Sequence, residues 1–231
     1  MSISDQIIYE DKHIIVLSKL PGQLSQPDKM NQSNLKSELE DYLLTSGQRQ
    51  KSPFVGVIHR LDRPVGGVMV YGKTKEGTRE LNNQLQTDAF KKVYLAVVKG
   101  IPTPEQGNLQ HYLVKNQKLN LSKVVPENTA NSKMASLDYS VIDTKTHPHL
   151  GPCSLIKVTL HTGRHHQIRV QFAHVGHPLL GDTKYGEKDG QAIGLWAYQL
   201  TLKVPFKDAT ETFSRLPEDA PFSLFDMAKL R

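Results

Sequence analysis

Short apolar runs of strand length dominate the chain, and helical periodicity is confined to three segments. Residues 7–19 read as two short strands around the polar turn Glu10-Asp11-Lys12. The segment 21–32 is rich in turn formers. Residues 33–44 carry Leu35, Leu39, Tyr42 and Leu43 at helical spacing, with Ser33 placed to cap the first turn. A polar loop is expected over 48–52. Residues 54–59 and 68–71 read as strands, separated by the Gly- and Pro-containing loop 60–67. A helix is expected over 75–85 and a strand over 92–98, ending at Gly100. Residues 102–132 are polar and irregular, a long excursion with a hairpin. Strands are expected over 134–142 and 154–160, a helix over 164–175 after a break at Gly163, and a late strand over 195–204. This order is rich in strands and has few repeated strand–helix units. It predicts an α+β fold with a mixed sheet rather than a doubly wound parallel one.

At 231 residues the chain suits one large domain or two small ones and can bury a substantial core. Its 29 Lys+Arg exceed its 23 Asp+Glu, so the net charge of +6 favours anionic partners without choosing among them. Cys153 is the only cysteine, which rules out an internal disulfide and fits a reducing compartment. No run approaches the roughly 20 apolar residues of a membrane span. The opening MSISDQIIYEDKH lacks a positive region followed by an apolar core, so no secretory signal is read there. The expectation is a cytoplasmic enzyme or RNA-binding protein.

Three constellations carry candidate chemistry. The first, His59-Arg60-Leu61-Asp62-Arg63, lies between a strand and a Gly/Pro loop, where side chains can project from a rigid edge. The cations on either side of Asp62 favour an ionised carboxylate, the form a nucleophile or base requires. The same local pattern also fits a surface ion-pair cluster in a turn. Directly after it, residues 67–74 match the P-loop spelling G-x-x-x-x-G-K-[ST]. The four middle residues, Val68-Met69-Val70-Tyr71, are strand formers. The glycines therefore bracket a strand, and nucleotide binding through Lys73 is not expected.

In the second, Lys92 and Tyr94 alternate with Val93, Leu95 and Val97, so a strand would place Lys92 and Tyr94 on one face. A tyrosine beside a lysine could stack on a base or move a proton; an amphipathic strand with Tyr94 in the core is the alternative. The third runs from His161 to Gly186. A helix opening at Arg164 would present free amides to phosphate. Ile168, Phe172 and Val175 would pack inward, leaving Arg169 at the border of that stripe to grip a partly buried carboxylate. His161, His165, His166, His174 and His177 lie close in sequence, but no cysteine or HExxH glutamate accompanies them. No metal site is expected.

Taken in order, these segments resemble the RluA-type family of pseudouridine synthases. The resemblance rests on HRLD at 59–62, K-x-Y-x-A-x-V at 92–98, TGRxHQIR at 162–169 and GHPLLGDTKYG at 176–186, with IIYEDKHIIVLSKLPG at 7–22 as its opening. It covers about residues 7–204. Departures are Leu20 between Lys19 and Pro21, Val65-Gly66-Gly67 after the carboxylate, His165 inside TGRxHQIR, and Gln171-Phe172 in place of the usual His. They bear on substrate contacts more than on chemistry.

The resemblance implies a pseudouridine synthase fold: α+β, with a mixed, largely antiparallel central sheet and helices and loops flanking a catalytic cleft. It implies one catalytic domain over 1–231 with no N-terminal accessory RNA-binding domain. The reaction it implies breaks the C1′–N1 bond of a uridine, rotates the uracil and rejoins it through C5, without cofactor. The partner would be a structured RNA, ribosomal or transfer, with the base flipped from its stack. Asp62 would be the catalytic carboxylate, Arg169 would pair with it, and Tyr94 would stack on the uracil and help remove the C5 proton. Arg60 would enter the space left by the base. His59, Arg63, Lys92, Arg164 and Lys91 would contact the RNA backbone. A monomer is expected. The main alternative is a non-catalytic RNA-binding protein or RNA chaperone on the same fold.

Overall fold

The structure is a computed structural model and describes residues 2–28, 30, 32–46 and 53–230. The polar loop expected over 48–52 falls outside the described residues. In chain order the elements are α1 (Ile3–Gln6), β1 (Ile7–Glu10), β2 (Ile14–Lys19), α2 (Leu35–Thr45), β3 (Gly56–Val57), β4 (Gly66–Gly72), α3 (Lys75–Gln84), β5 (Lys91–Lys99), β6 (Gln106–Asn116), β7 (Leu121–Val125), β8 (Lys133–His147), β9 (Gly151–Leu160), α4 (Gln167–His174), β10 (Leu195–Lys203) and β11 (Thr210–Ser214). Short 3₁₀ turns follow at Phe222–Leu224 and Met227–Leu230. The fold is α+β, as the element order predicts, and its sheet pairing is largely antiparallel, as the resemblance implies. Two compact units divide the chain: Met1–Lys91 with Ala197–Arg215, and Lys92–Trp196 with Leu216–Arg231. No helix among the described residues is long and apolar enough to cross a membrane.

In the first unit β2 pairs antiparallel with β1 on one side and β4 on the other, bringing Lys19 opposite Gly67. Every residue of β2 and β4 is buried, which accounts for their unbroken apolar runs. β10 lies beside β4, and β11 pairs with β10. Ile14, Val16, Val68, Val70, Leu200 and Phe213 close a core with Leu81 of α3. Gly67 has φ +119°, and a Cβ there would stand 2.2 Å from the Ala197 carbonyl, so only glycine lets β4 and β10 approach.

The segment spelled like a P-loop is β4 followed by a helix cap. Thr74 accepts the Gly77 amide at 3.0 Å, and the Lys73 amine is buried against the Glu10 carboxylate and the Asp11 carbonyl. Its amides serve the sheet and its lysine serves the fold. Helix α2 begins two residues later than expected. Asn34, not Ser33, is the cap, accepting the Ser37 amide at 3.1 Å, while the Ser33 hydroxyl donates to Glu38. The strand expected over 54–59 shrinks to β3, because side chains rather than a ladder hold the backbone that follows.

The second unit is an antiparallel succession β5-β9-β8-β6-β7. The irregular stretch 102–132 contains the expected hairpin, β6–β7. β8 runs five residues past its expected end, since the polar segment up to His147 still pairs with β9 at Gly151. On β5 both faces are buried from Tyr94 to Val98, so the strand is not amphipathic there.

Helix α4 starts at Gln167, three residues later than expected. His166 holds φ +53°, which no α-helix tolerates, and the Gln167 side-chain carbonyl accepts both the Thr162 hydroxyl at 2.7 Å and the Arg164 amide at 3.0 Å. The amide expected to face phosphate at Arg164 is thus committed to a turn. Ile168 and Phe172 are buried as expected. Val175 is 39% exposed and lies past the helix end.

Candidate active site

The loop 58–65 links β3 to β4 and has no regular secondary structure, yet its backbone is closely held. The Ser25 hydroxyl accepts the Leu61 amide at 3.2 Å and donates to the Leu61 carbonyl at 3.1 Å. The Val65 amide donates to the Asp62 carbonyl at 2.9 Å, closing a turn over Arg63-Pro64. The Arg63 carbonyl accepts the Gly22 amide at 2.8 Å and the Lys19 amine at 3.1 Å. Asp62 is partly buried at the centre of these contacts.

Lys19 is fully buried at the end of β2 and also donates to the Leu20 carbonyl at 3.0 Å. Burial pushes its amine down from 10.5 to about 7. The Asp62 carboxylate opposes that fall and Arg63 adds to it. A cation that can lose its charge near neutrality therefore sits beneath the loop.

The other residues of this segment play distinct parts. The His59 ring is partly buried, with Nε2 accepting the Val70 amide at 3.2 Å and the ring edge-on to Phe90. It braces β4. Arg60 is exposed, with no side-chain hydrogen bond or ion pair to any described residue. Arg63 is exposed but tied back through Nε to the Gly22 carbonyl at 3.2 Å.

In the second unit Arg169 lies on α4 at 4% exposure and grips Asp182, itself fully buried, through Nε to Oδ2 at 2.8 Å and Nη2 to Oδ1 at 2.7 Å. Asp182 also accepts the amides of Lys184 and Tyr185 at 3.0 and 3.2 Å. Burial raises its carboxyl, but the Arg169 hydrogen bonds and charge together with these amides outweigh it and hold the group below the usual carboxylate range. The guanidinium also lies 5.4 Å from the centre of the Tyr185 ring.

Tyr94 is 8% exposed in β5, opposite Val158 of β9. Two residues earlier on the strand, Lys92 lies opposite Leu160. Its amine stands where a Cβ on Gly163 would be 3.2 Å away, and burial pushes its pKa down. Arg164 is exposed and donates through Nε to the Met134 carbonyl at 2.9 Å.

Four of the five clustered histidines are distributed among separate hydrogen bonds, and the His174 ring stands edge-on to His111. His161 meets Asp138, His165 meets Ser122, His166 meets Tyr185, and His177 meets the Lys99 carbonyl. Among the described residues no group of three or more His, Cys, Asp or Glu could hold a metal ion.

Asp62, Arg60, His59 and Arg63 thus share one braced loop in the first unit; Tyr94, Lys92, Arg164 and Arg169 belong to the second. Sequence reasoning did not assign Ser25, the amine of Lys19, or Asp182 as partner of Arg169. Asp182 lay within GDTKYG, and Lys19 within KLPG; nothing local marked Ser25.

A family model described as RNA pseudouridylate synthase matches residues 13–174, running through both units. The dual-specificity RNA pseudouridine synthase RluA of Escherichia coli (strain K12) is 33% identical over 219 residues, 92% of this chain and 93% of that protein. The ribosomal large subunit pseudouridine synthase D of Pseudomonas aeruginosa is 33% identical over 185 residues, 78% of this chain but only 53% of that protein, so the match spans about half of that relative's length. Among solved structures, human RNA pseudouridylate synthase domain containing 4 superposes with a TM-score of 0.78 at 22% identity, covering 93% of this chain and 90% of that one. At that identity the likeness speaks for the fold.

Proposed function

Because this chain belongs to the RNA pseudouridylate synthase family, isomerases that act on RNA, we propose that Asp62 is the carboxylate with which it converts selected uridines of a structured RNA to pseudouridine. The C1′–N1 bond breaks, the freed uracil turns, a C1′–C5 bond forms, and the C5 proton is lost as N1, released from C1′, gains one. Atoms and electrons balance without oxidant, reductant or cofactor. The uracil must leave the stack to be reached, and exposed Arg60 is suited to the gap it leaves.

The observation that carries the reading is the bracing of the Asp62 loop. A surface ion-pair turn needs no buried serine and lysine tying down the residues before and after one carboxylate. Such preorganisation is what a reacting group requires. Tyr94 is assigned to stacking on the uracil and to the C5 proton, and Arg169 to electrostatic support. His59, Arg63, Lys92 and Arg164 are assigned to RNA contacts. A ribosomal or transfer RNA is the proposed substrate and the cytoplasm the proposed setting, consistent with a single free, buried cysteine.

Nucleotide-resolution pseudouridine mapping on total RNA, from cells with and without the chain, tests this directly. The expected result is a site lost on deletion that returns with wild type and not with Asp62→Asn. Full restoration by Asp62→Asn would overturn the assignment.

A further inference from the structure

Ser25 lies between β2 and α2, 36 residues before Leu61 in sequence, and is 4% exposed. It is too deeply buried to be a contact for RNA. Its hydroxyl nevertheless makes two hydrogen bonds to the residue immediately before Asp62, accepting from the amide and donating to the carbonyl of Leu61. Its own carbonyl accepts the buried Tyr71 hydroxyl at 2.8 Å, which ties this segment to β4.

The geometry has a specific consequence for Asp62. The Leu61 carbonyl belongs to the peptide plane that enters Asp62, and the Asp62 carbonyl belongs to the plane that leaves it. The Ser25 hydroxyl holds the first and the Val65 amide holds the second. Two planes held by hydrogen bonds fix the backbone angles between them, and so the direction in which the Asp62 side chain departs. Without the hydroxyl, the Leu61 amide and carbonyl would be buried polar groups with no ladder to serve them, and the loop would rearrange to satisfy them.

Resting on the assignment of Asp62 made above, we propose that Ser25 is a positioning residue for the reaction. It never touches substrate; it sets the aim of Asp62 through Leu61. A displacement of about 1 Å in a reacting group costs on the order of 100-fold in rate. Loss of the hydroxyl therefore acts on the chemical step and leaves RNA affinity, set by surface cations, nearly unchanged.

The test compares wild type, Ser25→Ala and Ser25→Thr in single-turnover reactions on total RNA from cells lacking the chain, with enzyme in excess and pseudouridine followed over time at the modified position. Hydrogen exchange of the Leu61 amide is measured alongside. For Ser25→Ala the expected result is a saturating rate at least about 10-fold lower, a half-saturating enzyme concentration within about threefold, and Leu61 exchange at least about 10-fold faster, with β4 amides unaffected. Ser25→Thr, which keeps the hydroxyl, restores most of the rate. An unchanged rate in Ser25→Ala overturns the inference. So does a rate that falls only in proportion to folded protein, with half-saturation shifted equally. If wild type modifies no position, the reaction itself falls and this inference with it; if wild type turns over and Ser25→Ala matches it, only the inference falls.

Discussion

The Arg169 guanidinium meets the Asp182 carboxylate as a two-pronged fork, Nε to Oδ2 at 2.8 Å and Nη2 to Oδ1 at 2.7 Å, with both side chains buried. Breaking a buried pair by removing one of its members costs about 3–5 kcal/mol. Asp182→Asn should lose about that much stability in urea denaturation, and Arg169→Lys should not be a conservative change, because a point charge cannot replace the fork. The pH dependence has a definite sign. The Asp182 carboxyl is held low in the folded chain, so its contribution is complete above the unfolded value of 3.8 and is lost as pH falls through the lower folded value. An acid titration of wild type should show this component; Asp182→Asn should lack it.

Lys19 gives the opposite end of the pH scale. The folded chain releases this proton near pH 7, and the unfolded chain keeps it to about 10.5. Between those values the unfolded state binds more protons, so folding stability rises with pH, by up to about 1.4 kcal/mol per unit for one proton. Lys19→Met, similar in bulk but without charge, should flatten that slope. A slope from pH 7 to 10 that is identical in both proteins would place the titration elsewhere.

His111 reports on the packing of α4. Its Nδ1 lies 3.0 Å from the Gln171 amide nitrogen, which can only donate, and its ring is edge-on to His174 at 5.0 Å. Burial, and then His174, push its pKa below 6.5. The unfolded chain takes up this proton first as pH falls, so stability is complete above about 6.5 and declines below it. His111→Asn should remove that decline, as read from melting temperatures between pH 7.5 and 5.

Arg164 tests the RNA surface. Its side chain is exposed and among the described residues is held only by the Met134 carbonyl, so Arg164→Ala should leave the melting temperature within about a degree or two. Binding to the RNA identified by mapping should weaken, and the slope of log affinity against log salt should fall by about 0.7–0.9 for each phosphate that Arg164 neutralises. An unchanged salt slope would remove Arg164 from the RNA-binding surface.

Local pattern was enough for most elements. The apolar runs of β2 and β4 and the helical spacing of Leu35, Leu39 and Leu43 mark elements where burial follows directly from the local pattern. The same logic set aside the P-loop spelling, because four strand formers between glycines build a ladder and not a loop. The motifs around Asp62, Tyr94 and Arg169, which carry the family resemblance, were legible by kind and order.

Only the tertiary structure decided how those residues are held. Helix α4 begins late because the Gln167 side chain folds back onto Thr162 and Arg164, and α2 is capped by Asn34 rather than its neighbour Ser33. Such choices turn on which nearby polar groups compete for the same amides, and period does not encode that competition. The bracing of Asp62 is further still from the sequence pattern. It joins Ser25 to Leu61 and Lys19 to Arg63 across 36 and 44 residues, with groups that look like ordinary turn and strand residues until the chain closes on itself. A hydrogen bond between distant residues leaves no periodic trace, so its existence is settled only when burial denies those groups water and packing supplies each with a partner.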